Sequence, residues 1–294
     1  MDKYLDPLSR SLTLLFLIAT MLSIGLQVTL PQLRLALADR RLVLRALLVN
    51  FVLVPAFGAL LVRLVPLSTN VAVALVLLAA SAGGPNALQF SSKVKGGVAA
   101  AAAFLFILSV LSIPLAPAIS RALLPTDQSL ELPVGRALAG LVLYLLLPLL
   151  AGLGVHRLQP RLAGLLAKPL TIIGTLAFVA VVVRTMAVKK QAMAALDQPE
   201  LLAMLALIIG SMMLGWLFGG PTRETRRVLA STTGMRNAAI ALLIAFNSFA
   251  GTDVDAAVVA CVALMIPANM IYTVAATIRG AVAARAQARA GSQA

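Results

Sequence analysis

Ser231-Thr232-Thr233-Gly234-Met235-Arg236-Asn237 interrupts an apolar run, with Val228-Leu229-Ala230 before it and Ala238 to Ile244 after it. Glycine weakens a helix interior. An arginine at the centre of a membrane helix costs about 2.5–3.5 kcal/mol on insertion scales. Non-helical backbone at membrane depth is tolerated where protein or a water-filled cavity satisfies it. A second interruption of the same kind lies about 150 residues earlier: Ser81, Gly83, Gly84, Pro85 and Asn86, followed by Gln89, Ser91 and Ser92.

The surrounding composition says that these breaks lie in a membrane. Of 294 residues, 61% are hydrophobic and 12% charged, with a mean hydropathy of +1.00. Soluble domains carry about 25% charged residues. That excludes a water-soluble fold, a disordered chain and a disulfide scaffold. The net charge of +14 sits in turns between apolar runs, the pattern that orients membrane helices rather than one that binds nucleic acid. Barrel strands are short alternating segments of about ten residues, and none are seen. A spanning helix needs about 20 apolar residues. Nine candidates appear, over 10–30, 42–65, 69–92, 97–124, 132–156, 162–186, 199–219, 225–248 and 254–280. The reading is an all-α polytopic membrane protein.

The breaks fall in the third and eighth segments. An offset of five places the two helices in opposite directions, which marks an inverted repeat. Nine helices then divide as four plus five. Repeat 1 covers about 10–124, repeat 2 about 132–280, and 281–294 is a tail, all in one transporter domain. Paired discontinuous helices near the midplane point to a secondary transporter. Most Lys and Arg (Arg40, Arg41, Arg45, Lys93, Lys95, Arg157, Arg161, Arg226 and Arg227 among them) fall on one side. The positive-inside rule puts that side and the C-terminus in the cytoplasm, and the N-terminus outside.

At these residues the sequence resembles the bile acid:sodium symporter family. Gly25-Leu26-Gln27-Val28-Thr29 is similar to its Gly-Leu-x-Leu-Thr stretch, and Asn50-Phe51 with Pro55 to its Gln-Phe-x-x-x-Pro motif. Gly83-Gly84 through Lys95-Gly96 has the spacing of its first crossover. Gly234-Met235-Arg236-Asn237 is similar to its Glu-x-Gly-Met-Gln-Asn crossover. The resemblance implies a panel domain and a core domain, with the broken helices crossing in the core. It also implies bile-acid-like, sulfonated or keto-acid substrates.

The family's first sodium site would map by spacing to Ala87, Leu88, Ala101, Leu105 and Thr232, where nearly every side-chain oxygen is gone. The two glutamines of its second site would map to Asn50 and Arg236. Both sodium sites are therefore expected to be degenerate. All ten acidic residues lie in loops or at helix ends, so no membrane carboxylate is expected to bind sodium or relay a proton. Three roles stand open for Arg236: a tethered cation in place of a sodium ion, a donor to an anionic substrate, or a partner for carbonyls freed at the crossover.

The expected substrate-site residues are Arg236, Asn237, Asn86, Asn50, Gln89, Thr233 and Asn269, with Gly83, Gly84, Pro85, Gly234 and Pro267 as crossover or hinge positions. Pro267 and Asn269 are expected to interrupt the last helix. The expected function is sodium-independent transport of a small or amphipathic organic anion, by alternating access, in the bacterial inner membrane. Sodium- or proton-coupled symport is the alternative, and an anion channel the alternative that is not a carrier. No enzymatic activity, cofactor, metal or nucleic-acid partner is expected. The expected partners are the substrate, the lipid bilayer and, if the chain is not monomeric, a second copy.

Overall fold

Every regular element among the described residues (7–84, 98–124 and 132–291 of the computed structural model) is a helix. A helix satisfies its backbone internally, which hydrocarbon demands. The helices are α1 (Pro7–Gln27), α2 (Leu30–Ala38), α3 (Arg40–Leu64), α4 (Thr69–Ala80), α5 (Val98–Leu123) and α6 (Val134–Leu158). They continue with α7 (Pro160–Val188), α8 (Lys190–Ala194), α9 (Gln198–Phe218), α10 (Arg223–Gly234), α11 (Ala238–Ser248) and α12 (Val254–Gly291). Among the described residues, eight apolar runs are long enough to cross a membrane, with α10 and α11 counted as one; the shorter α4 is the stem of the remaining expected segment. The chain is an all-α, multi-pass membrane protein.

Local rules explain the boundaries. Thr29 and Gln32 form a reciprocal capping box that starts α2, and Asp197 and Glu200 form another at α9. Pro31, Pro160 and Pro199 sit in first turns, where a missing N–H costs nothing. Three features differ from expectation. Residues read as a basic loop after the first span form α2. The third segment stops as a helix at Ala80, and 85–97 lie outside the described residues. Finally, α12 runs through Pro267 without a break, so the expected interruption there is absent. Neighbouring helices re-satisfy freed groups around a membrane proline.

The helices form two layers. In one, α1 packs lengthwise against α6 and α7. Gly25 and Gly152 make this possible, since a Cβ on either would collide with the other helix's backbone at Leu149 or Leu22. Small residues of this kind let membrane helices approach closely. Ser23 Oγ lies 2.6 Å from Thr171 Oγ1, and His156 Nδ1 bonds to the Leu26 carbonyl, tying the same three helices together.

The other layer holds α3, α4, α5 and α9 to α12. Within it, α4 and α11 are apolar on all sides and buried along almost their whole length. Helices hydrophobic all round belong in a protein core. They carry the chain into and out of the two breaks.

Replacing Gly25 with Leu should separate α1 from α6. The expected destabilisation is at least the ~1–3 kcal/mol of an overpacked core, because backbone rather than a pliable side chain blocks the site. It would be read as a lowered melting temperature in detergent; an unchanged melt would mean that α1 and α6 do not meet at Gly25.

Candidate functional site

The first half-helix ends at Ser81 with φ −93° and ψ 95°, and α10 ends at Met235 with φ −92° and ψ 93°. Two helices about 150 residues apart thus leave helical geometry in the same way. They then bond to each other: Gly84 N donates to Met235 O at 3.1 Å, and Asn237 N donates to Ser81 O at 2.9 Å. The two breaks cross as a short bridged pair of extended segments.

Glycine is required on one side of this bridge. Gly83 has φ +77°, which disfavours a side chain. At Gly84 a Cβ would lie 2.5 Å from Met235 O and 2.6 Å from Arg236 O. The freed carbonyls and amides around them are met by side chains. Ser109 Oγ donates to Gly83 O (3.1 Å), and Ser112 Oγ both accepts from Ala82 N (2.9 Å) and donates to Ala82 O (3.1 Å). Asn237 caps α11 by accepting from Ala239 N and Ile240 N, and its Nδ2 donates to Gly83 O at 3.0 Å.

Arg236 lies at the centre and is 2% exposed. Its Nε donates to Leu78 O at 3.0 Å. Nη1 donates to Asn50 Oδ1 at 2.7 Å and to Thr233 O at 3.4 Å. Nη2 donates to Ala79 O at 2.7 Å and to Asn50 O at 3.3 Å. A guanidinium has five N–H donors, and all five are engaged. Every acceptor is neutral, and none of these partners is a carboxylate.

The acceptors share an origin. Leu78 and Ala79 lie in the last turn of α4, and Thr233 in the last turn of α10. Last-turn carbonyls have no partner within their own helix and form the negative end of its dipole. Asn50 lies in a π-helical turn, Val49–Leu53, that opens α3 beside them. The Asn50 side chain also donates to Ala46 O (3.0 Å) and Thr233 Oγ1 (3.3 Å). Two helix ends and one π turn therefore converge on one cation.

The structure brings Arg236, Asn237, Asn50 and Thr233 together with Gly83, Gly84 and Gly234. Asn269 is also close: its Oδ1 lies 3.5 Å from where a Cβ on Gly234 would be. Asn269 Nδ2 donates to Met265 O, while Asn269 Oδ1 and Ser231 Oγ are buried with no hydrogen-bond partner among the described residues. Pro267 is two residues from Asn269 in an unbroken helix. Asn86, Gln89 and Pro85, with Ala87 and Leu88, lie outside the described residues; Ala101 is within α5, but its side chain is not described. Leu105 is buried, and Thr232 Oγ1 bonds back to Val228 O (2.9 Å) and Leu229 O (3.2 Å) in its own helix.

Sequence reasoning missed Ser109 and Ser112. Their signal was two hydroxyls one turn apart on an apolar helix, just before Pro114 and Pro117.

It also missed a cavity of about 130 Å³ between the layers, lined by Ser9 and Thr13 of α1, Arg184 of α7, Phe246 of α11 and Asp255 of α12. Arg184 Nε donates to Ser9 Oγ at 2.7 Å. At its rim Lys189, just after α7, donates to Asp253 Oδ1 (2.7 Å) and Thr252 O (2.8 Å) and lies 3.5 Å from Asp255 Oδ1. Burial alone would lower the Lys189 pKa, but Asp253 and Asp255 outweigh it and hold it above the usual lysine value.

Sequence comparison supplies the family. The model of the sodium bile acid symporter family matches residues 14–196. The chain belongs to the sodium bile acid symporter family. A search of curated proteins gave no match. Members of the sodium bile acid symporter family are transporters of the bile-acid or organic-anion type. The match covers the first break and ends before the second, so the Arg236 arrangement rests on this chain's own structure and not on the family match.

Asn237→Ala should remove the α11 cap and one bond to Gly83 O. The expected loss is about 1–3 kcal/mol, read as a lower melting temperature. Asn237→Ser, which keeps a neutral capping oxygen, should recover part of it. Equal losses in both variants would show that the cap is not the stabilising element.

Proposed function

We propose that this protein carries small or amphipathic organic anions (bile-acid-like, sulfonated or keto-acid) by alternating access without sodium at the crossover. The observation that carries the proposal is the complete bonding of Arg236. Its five donors take up oxygens at the ends of α4 and α10 and in the π turn of α3. Such oxygens, at unwound backbone and half-helix C-termini, coordinate the driving cation in coupled transporters. In sodium-coupled relatives the corresponding positions hold the second ion. Here the charge is covalently attached, so it cannot be exchanged across the membrane and cannot draw on a sodium gradient.

The same observation favours two of the three roles open to Arg236, the tethered cation and the partner of freed carbonyls. With all donors engaged by protein, it holds the crossover together and supplies fixed positive charge rather than a direct bond to substrate. Asn269 Oδ1 and Ser231 Oγ retain bonding capacity beside Gly234, and they serve as substrate or water contacts. The two layers act as panel and core of an inverted four-plus-five repeat. Lys189 with Asp253 and Asp255 ties them together at one end, and opening on that side breaks the tie. The positive-inside pattern supports a periplasmic N-terminus and a cytoplasmic C-terminus in a bacterial inner membrane.

Purified protein in liposomes should take up taurocholate or pyruvate at rates within about twofold in sodium and in potassium, at matched ionic strength. A rate that requires sodium contradicts the proposal and makes the protein an ordinary symporter.

A further inference from the structure

A groove of about 560 Å³ runs between α9 and α12 on the outer surface of the core layer. Its walls are almost wholly apolar, with Ile209, Met213, Trp216 and Leu217 on one side and Pro267 and Ile271 on the other. Ile209, Met213, Leu217 and Ile271 are exposed, so at membrane depth hydrocarbon covers them. A single polar atom breaks the pattern. The Tyr272 hydroxyl is buried at the groove and has no hydrogen-bond partner among the described residues. A buried tyrosine O–H usually finds a partner.

The charge around this end of the groove points to that partner. Gly219, just past α9, packs against Arg226, so the start of α10 stands beside Trp216 and Leu217. Arg223, Arg226 and Arg227 share that first turn and a half with one acid, Glu224. Arg226 Nε bonds to Gly220 O at 2.8 Å. Arg223 and Arg227 are four residues apart and on one face of the helix. The helix that carries Arg227, α10, packs against α12, which carries Tyr272. Trp is enriched at the headgroup level of a bilayer, and basic clusters next to membrane helices bind anionic headgroups.

We infer that the α9/α12 groove is a binding site for an anionic phospholipid, with an acyl chain along the groove and the phosphate held by Arg223, Arg227 and the Tyr272 hydroxyl. The site reaches the crossover through one side chain. Met212 forms part of the groove and abuts Gly234, so an occupied groove presses on the turn that carries Arg236. Lipid bound there favours the crossed arrangement of the breaks.

The test is thermal stability in detergent with dioleoyl-phosphatidylglycerol or dioleoyl-phosphatidylcholine added to the micelles. A ligand that binds only the folded state raises the melting temperature. Phosphatidylglycerol should raise it by about 5 °C or more, phosphatidylcholine by much less, and high salt should narrow the difference. Arg223→Gln with Arg227→Gln should abolish the preference, while Ala268→Trp, which fills the groove, should abolish the response to either lipid. Arg223 is exposed and Arg227 half-buried, so the arginine variant keeps the test open should Ala268→Trp fail to fold. Equal shifts from both lipids in the wild type, or an undiminished preference in the arginine variant, would overturn the proposal. So would a dimer that Ala268→Trp converts to monomer, since a second copy would then occupy the groove.

Discussion

A guanidinium is held where two helices end in the interior of a membrane protein. Arg236 has no carboxylate among its partners; its charge is met by four backbone carbonyls and the Asn50 amide oxygen. Moving a charge out of water costs several kcal/mol even after relaxation. A helix that ends in a dry core leaves carbonyls that are costly in their own right. Each problem offsets the other here. The ends of α4 and α10 gain a cation at the negative pole of their dipoles, and the cation gains a full set of acceptors.

The rest of the core follows from that arrangement. For both breaks to reach one guanidinium, their backbones must cross at bonding distance. Gly83 and Gly84 permit the approach, and the Ser81–Asn237 and Gly84–Met235 bonds fix it. The peptide groups left over are met by Ser109, Ser112 and Asn237. The segments leading in and out, α4 and α11, lie at the centre of the layer and are apolar on every face. The α1–α6–α7 layer packs tightly within itself through Gly25 and Gly152. It packs directly on the other layer where α6 meets α11, and it borders a cavity with an ion-paired rim.

Much of this was legible in the sequence because hydrocarbon imposes strong rules. The expected spans of 132–156 and 199–219 became Val134–Leu158 and Gln198–Phe218, since apolar length and a capping box leave little choice. The breaks were visible as Gly and polar residues in apolar runs, and Arg236 as a charge without an acid. What sequence could not give was pairing. No local pattern says that Arg236 meets Leu78 and Ala79 about 157 residues away. Ser109 and Ser112 escaped notice because a serine in a membrane helix usually bonds to its own helix, and only the crossing shows these two facing Gly83 and Ala82. Pro267 misled for the opposite reason: a proline signals a break, yet its neighbours in the bundle allow α12 to continue.

The most direct test of the central claim removes the tethered cation and offers a free one. Arg236→Ala leaves the carbonyls of Leu78, Ala79, Thr233 and Asn50 around an empty site. Melting temperature would be measured for the wild type and this variant in sodium, potassium and N-methylglucamine chloride. The account predicts a wild type indifferent to the cation. It predicts a variant that is destabilised in N-methylglucamine by about 1–3 kcal/mol for each carbonyl left unpaired and partly restored by sodium. A wild type stabilised by sodium, or a variant blind to all three cations, would show that Arg236 does not occupy a cation's place.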